Sequence, residues 1–237
     1  VRQFRQDSIS DELLDYILSA GTRSSTTGNM QLYSIVITRS AEMKEKLSPL
    51  HFNQKMVKEA PVFLTFCADF NRFNKWCRLR NAEPGYDNFL SFVTAAIDAV
   101  IAAQTVAVAA ESKGLGICYL GTVIYTADKI IDLLSLPAGV VPVAAIAVGW
   151  PAELPPQPDR LPLCAITHTE VYRDYTDSEI DEIYAEKEAR SDSLKFVEEN
   201  GKETLAQVFT DVRYKKKDNI FFSEVLLGVL KKQGFMS

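Results

Sequence analysis

Histidine is scarce in this chain. There are two, His51 and His168, and neither has a carboxylate or a cysteine near it at ligand spacing. Ser-His-Asp nucleophilic catalysis and zinc hydrolysis are therefore poorly supplied. The four cysteines, Cys67, Cys77, Cys118 and Cys164, lie in separate segments with no Cys-x-x-Cys pair. They make neither a disulfide framework nor a zinc pattern, so reduced thiols in a cytoplasmic setting are expected. Basic residues are outnumbered by acidic ones, 26 to 31, for a net charge of −5. Their only run is Lys215-Lys216-Lys217, which a solvated helix face or a substrate-facing loop explains. Non-specific nucleic-acid binding needs a basic surface that this chain lacks. The Gly-x-Gly-x-x-Gly fingerprint for nicotinamide dinucleotides is missing, since Lys113-Gly114-Leu115-Gly116 has only its first half. The longest apolar stretch, Phe89 to Ala110, contains Ser91, Thr94, Asp98, Gln104 and Thr105. That is too polar for a membrane span. No initiator Met is present, and Val1-Arg2-Gln3-Phe4-Arg5 reads like the inside of a polypeptide, so residues are expected upstream.

What is present suits one sizeable core. The chain has 237 residues, 47% of them hydrophobic, without internal repeats, and one large domain is expected rather than two. Ser10 reads as an N-cap for a helix carrying Leu13, Leu14, Ile17 and Leu18 on one face, with Gly21 as its stop. Strands are expected at Tyr33–Thr38, buried on both faces, and at Pro61–Asp69, where Cys67 reads as a packed small side chain. Two more follow at Ile117–Gly121 and Pro142–Gly149. Short helices are expected at Glu42–Leu47 and, capped by Thr126, through Leu134. Phe70–Ala82 mixes basic and aromatic residues and is either a partner-facing or a solvated helix. Phe89–Ala110, rich in alanine, is a helix either buried at the domain centre or packed against its twin across a dimer interface, and the dimer is preferred. After the Pro-rich loop from Pro151 to Pro162, charged amphipathic helices are expected at Asp177–Glu188, Glu198–Phe209 and Ile220–Gln233. The order of elements is that of an α+β or α/β fold.

Between the first helix and the first strand lies Arg23-Ser24-Ser25-Thr26-Thr27-Gly28-Asn29-Met30-Gln31. These hydroxyls and free backbone N–H groups suit either of two tasks. They can satisfy the local backbone of a helix-to-strand turn, or line a polar, anionic ligand.

Several segments together resemble the flavin-dependent nitroreductase family, in its subgroup of oxygen-insensitive nitroreductases and NADPH–flavin oxidoreductases. They are Val1-Arg2-Gln3-Phe4, Ser25 to Gln31, Gln54, Ala60-Pro61-Val62-Phe63 and Phe66-Cys67-Ala68-Asp69. Ala110 to Gly116, Tyr119-Leu120-Gly121, Gly149-Trp150-Pro151, Arg160-Leu161-Pro162 and Lys232-Gln233-Gly234-Phe235 complete the set, in the family's order. The resemblance implies a single FMN-binding domain over residues 1–237, with a core to residue 162 and a helical C-terminal extension. Its fold would be α+β, with a central antiparallel or mixed sheet flanked by helices in an intertwined homodimer. FMN would be held tightly but non-covalently, with NADPH or NADH as electron donor, and no metal or dedicated catalytic side chain. Arg2 would meet the flavin. Ser25, Thr26, Thr27 and Asn29 would reach it from the partner subunit. Gln54 would bond the ring edge, Tyr119, Leu120 and Gly121 would lie against the ring, and Arg160 would bind the phosphate. A surface salt bridge is the plainer role for Arg160 read alone. The implied activity is ping-pong reduction of nitroaromatics, quinones or free flavin. A flavin carrier or redox sensor with little turnover, or a relative performing another flavin-dependent reduction such as dehalogenation, stands beside it. Three features depart from the subgroup. Its opening His-Arg-Ser lies before Val1, Pro158 replaces a Lys, and Ser223 stands where an Arg is expected for substrate and nicotinamide.

Overall fold

The computed structural model describes residues 1–236. Four strands, β1 (Tyr33–Thr38), β2 (Val62–Asp69), β3 (Gly116–Leu120) and β4 (Val140–Gly149), form one antiparallel sheet in the order β1-β2-β4-β3. The chain divides into two compact units. One comprises Val1–Leu154 with the stretch that begins at Phe222, and the other is Pro155–Phe221.

Position in the sheet explains the strand compositions. β2 is central, every residue in it is buried, and its apolar run is continuous. Cys67 sits within it as a packed small side chain, its thiol pushed up to about 12 by burial. β1 is also mostly apolar, with Ile35, Val36 and Ile37, but lies at an edge. It is only partly buried, and Ile37 is exposed, contrary to the expectation of burial on both faces. β4 carries Pro142, which cannot donate to a ladder. The β2–β4 register slips there, with Phe66 opposite Ala144 and Cys67 opposite Pro142. An irregularity of this kind is how an interior strand tolerates proline.

Alternating side chains of β2 serve two faces. Val62, Leu64 and Phe66 pack with Leu14 and Ile17 of α1 (Asp11–Thr22) and with Ala99, Ala102, Ala103, Val106 and Ala110 of α5 (Phe89–Ser112). Phe63 faces the other way, into Leu47 of α2 (Ala41–Leu47), Met56 and Val57 of α3 (Met56–Glu59), and Ile130 of α6 (Ala127–Leu134). The sheet is thus sandwiched between helices. A third cluster at the end of the sheet joins Leu32, Phe70, Ile131, Val229, Leu230 and Phe235. α4 (Asn71–Arg78) follows β2.

α1 begins as read, with Ser10 Oγ accepting from Leu13 N at 3.2 Å. Gly21 does not end it. It is buried inside the helix, where a Cβ would stand 2.4 Å from Val106 Cγ2, so the glycine permits α1 and α5 to meet closely. Thr126 occupies the N-cap position of α6, but its hydroxyl donates to Leu50 O at 2.7 Å instead of capping the helix.

The second unit contains α7 (Asp177–Ala189), α8 (Ser191–Glu199) and α9 (Leu205–Val208), and α10 (Lys216–Lys232) follows. A reciprocal Thr176–Glu179 capping box starts α7. The expected helix across Glu198–Phe209 is broken at Asn200-Gly201, where Gly201 takes φ +58°, and Thr204 caps a fresh start. A π turn, Phe209–Arg213, extends α9.

Among the described residues α5 is the helix long and apolar enough to cross a membrane. Its alanines pack on α1 and the sheet, and Asp98, near its middle, is buried and hydrogen-bonded.

Candidate flavin site

Two turns meet at the exit of β3. The first is the 3₁₀ turn Ser48–His51 and the residues after it. Phe52 and Asn53 both adopt left-handed φ of 55°, and Asn53 N bonds back to Ser48 O at 2.8 Å. Two consecutive non-glycine residues in that region are strained, and such strain gathers at functional sites. The turn delivers Gln54, whose Nε2 donates to His51 O at 3.2 Å and approaches Thr122 Oγ1 at 3.5 Å. The second is the 3₁₀ turn Gly121–Ile124, directly after β3.

His51 binds the turns together. It is fully buried, its Nδ1 lies 2.8 Å from Thr122 Oγ1, and its ring meets Phe63 edge-on at 5.0 Å. Burial holds its pKa down at about 4. Its Nε2 is buried without a hydrogen-bond partner.

The β3 residues split by alternation. Leu120 is buried in the Phe63 cluster, so only its backbone is open to a ligand. Tyr119 points to the other face and donates to Gln104 Oε1 of α5 at 3.2 Å. Burial, and next the charge of Glu111, raise the Tyr119 phenol to about 12, so it stays protonated. Gly121 is exposed, and a Cβ placed on it would meet nothing within 4 Å. Open space over a glycine, beside a carboxamide and a hydroxyl, accommodates a flat polar-edged ring. These residues fit an isoalloxazine.

Arg2 belongs to a segment laid along the sheet. Val1 N donates to Ile117 O at 3.0 Å, Phe4 bridges to Pro151, and Arg5 N donates to Trp150 O at 2.9 Å. Gly116 is required for this, because a Cβ there would lie 2.8 Å from Val1 Cβ. Arg2 is exposed. Burial raises the neighbouring Cys118 thiol, while the charges at Val1 N and Arg2 pull it down.

Ser25 to Asn29 belong to a different place, the surface of α5. Asp98 Oδ1 accepts from Thr27 N at 2.9 Å and Thr27 Oγ1 at 3.1 Å, and its Oδ2 accepts from Leu32 N at 3.2 Å. Ser24 Oγ reaches Thr105 Oγ1 at 2.8 Å. Gly28, Asn29 and Gln31 are left-handed, and Arg72 of α4 donates to the carbonyls of Gln31 and Tyr33. The loop is thereby clamped on both sides, and Ser25 and Asn29 remain exposed. Arg160 is in the second unit, exposed, with Nη1 donating to Asp159 O at 2.8 Å.

The structure thus joins Gln54, Leu120 and Gly121 in one place and anchors Ser25–Asn29 in another. His51, Thr122, Asp98 and Arg72 are the residues that sequence reasoning missed. Asp98 did leave a signal, as an acid in the middle of an alanine-rich helix whose other acid, Glu111, stands in the last turn.

The nitroreductase family model matches residues 1–150. The chain belongs to the nitroreductase family. It is 33% identical over 237 residues to an FMN reductase [NAD(P)H] of Bacillus subtilis strain 168, covering 99% of this chain and 93% of that one. It is 32% identical over 173 residues to an oxygen-insensitive NADPH nitroreductase of Salmonella typhimurium, covering 73% and 71%. A crystal structure from Bacteroides fragilis NCTC 9343, provisionally assigned as an oxidoreductase, matches with a TM-score of 0.99 at 57% identity, covering 100% of this chain and 96% of that one. Membership accounts for the mixed fold, with its antiparallel four-stranded sheet between helices.

Proposed function

We propose that this protein is an FMN-dependent NAD(P)H oxidoreductase that reduces nitroaromatics, quinones or free flavin by a ping-pong scheme, as a cytoplasmic homodimer. The carrying observation is the open Gly121 beside the Gln54 carboxamide and the Thr122 hydroxyl, at the exit of an edge strand. FMN, when bound, supplies the hydride acceptance and release that no side chain here offers. The chain's own residues bind and orient. Gln54 and Thr122 meet the ring edge, Gly121 and the backbone of Leu120 allow close approach, and Tyr119 stays protonated alongside. Arg2 and Arg160 neutralise negative charge, Arg160 as a bidentate phosphate partner. Ser25, Thr26, Thr27 and Asn29 serve the second subunit's cofactor, a role supported by their clamp to α5. The exposed face of that helix is apolar at Leu90, Ile97, Val100, Ile101 and Val108. Relatives named FMN reductase [NAD(P)H] and oxygen-insensitive NADPH nitroreductase support the reaction class.

The visible spectrum of the purified protein tests the cofactor. A yellow protein, bleached anaerobically by NADH or NADPH and recoloured by a nitroaromatic or quinone, is the expected result. A colourless protein that takes up no added FMN would falsify the reading. Ser223, exposed on α10, favours a second reading as a flavin carrier, and a yellow protein bleached by neither donor would decide for it. Arg160→Ala is expected to weaken FMN binding about tenfold or more, the usual effect of losing a charge-assisted contact. Unchanged affinity would remove Arg160 from the phosphate site.

A further inference from the structure

We propose that His51 is a positioning residue acting through Thr122: its Nδ1–H donates to Thr122 Oγ1, freeing the Thr122 hydroxyl proton to form, beside Gln54 Oε1, a donor–acceptor pair complementary to the C=O/N–H edge of the flavin's pyrimidine ring. The inference rests on the FMN reading above and adds two residues to it.

Three observations carry it. First, the Gln54 amide is spent on its nitrogen side. Nε2 faces His51 O at 3.2 Å and Thr122 Oγ1 at 3.5 Å, both acceptors, which turns Oε1 away from them as a free acceptor. Second, the imidazole has one partnered nitrogen and one orphan. Nδ1 is 2.8 Å from Thr122 Oγ1, while Nε2 is buried without a partner. If Nδ1 accepted, the Thr122 proton would be consumed inward and a buried Nε2–H would be left undonated. With Nδ1 as donor, the orphan is a bare acceptor, and buried acceptors without partners are less rare than buried donors. Third, the ring cannot turn to exchange these roles. It has no exposed surface, packs edge-on against Phe63, and follows a 3₁₀ turn locked by Asn53 N to Ser48 O. A pKa near 4, lowered by burial, keeps the ring neutral and so with one proton to place.

The result is a hydroxyl donor and a carbonyl acceptor side by side, next to the open Gly121. An imide edge alternates C=O and N–H, so Gln54 Oε1 would accept from its N–H while Thr122 donates to a flanking carbonyl. A flavin methylated at that N–H should accordingly be refused.

Long-range ¹H–¹⁵N NMR of the FMN-free protein reads the tautomer directly. Protonated Nδ1 with unprotonated Nε2 is expected, and the reverse pattern would overturn this inference while leaving FMN binding itself untouched. FMN titration of variants reads the consequence. Thr122→Val and His51→Leu are each expected to raise the dissociation constant about tenfold. His51→Asn, whose amide N–H lies near the place of Nδ1–H, should recover most of the affinity. Equal losses for His51→Asn and His51→Leu would reduce His51 to packing and overturn the proposal. So would unchanged FMN affinity in Thr122→Val, which serves where His51→Leu does not fold. Wild-type protein that binds FMN and 3-methyl-FMN equally well contradicts the donor–acceptor match. Wild-type protein that binds neither overturns the FMN reading along with it.

Discussion

His51 couples the site to pH through stability. Its pKa falls from 6.5 in a free side chain to about 4 in the folded protein because burial penalises the imidazolium. The unfolded chain therefore binds a proton that the native state refuses. Stability is complete above about pH 6.5 and declines as pH falls toward 4, by about 3 kcal/mol in all. His51→Asn should remove that part of the decline, measured by urea unfolding at pH 7 and pH 4.5, and an identical pH slope in both proteins would disprove it. Asp98 is the second residue whose weight exceeds its prominence. Its carboxylate accepts from Thr27 N, Thr27 Oγ1 and Leu32 N, so Asp98→Ala strands three donors. A loss of about 2–3 kcal/mol is expected. Hydrogen exchange should quicken at the Thr27 and Leu32 amides, and full protection there would refute the clamp. At this scale the sequence was least legible. His51 has no ligand-spaced acid nearby, and its partner Thr122 is 71 residues away. Gln54, Tyr119, Leu120 and Gly121 were singled out only because their motifs stand in a familiar order.

Elements were legible where local chemistry and tertiary position agree. Ser10 caps α1, Ser40 caps α2, and the Thr176–Glu179 box starts α7, all from side chains within three residues of their targets. The sequence misled where a distant contact decides. Gly21 has the look of a helix stop, yet its lack of a Cβ serves Val106, 85 positions further on in α5. β1 and β2 share an apolar composition, and only the strand order makes one an edge and the other the centre. Gly21→Ala should therefore destabilise the protein by about 1–3 kcal/mol, as overpacking does. Its new methyl would meet Val106 Cγ2 at 2.4 Å and Ala102 O at 3.3 Å. Shortening Val106 to Ala should relieve part of that strain, so a double-mutant cycle is expected to show favourable coupling. Strictly additive losses would mean that the two helices do not meet there.

At the scale of the whole molecule the outer side of α5 is an exposed apolar face. The helix is about 36 Å long at 1.5 Å per residue. Its alanines face the sheet, and Leu90, Ile97, Val100, Ile101 and Val108 remain exposed, Ile97 by 53% and Leu90 by 73%. Apolar residues at helical spacing over such a length are costly to leave in water. The same helix holds Asp98, which clamps the hydroxyl loop, so a partner seated on α5 would also find Ser25 and Asn29 presented beside it. A dimer through α5 therefore unites two facts that are unrelated in the single chain: the apolar stripe, and a polar loop remote from Gln54 and Gly121 in the pattern of contacts. The pair Ile97→Lys and Val100→Lys places like charges on that face without touching the buried alanines. The double variant should sediment as a monomer at micromolar concentration, where the wild type is expected to sediment as a dimer. FMN retention should fall with it, because each cofactor would lose the loop supplied by the other subunit. A double variant that stays dimeric and yellow would move the interface elsewhere and return Ser25 to Asn29 to the role of a well-anchored turn.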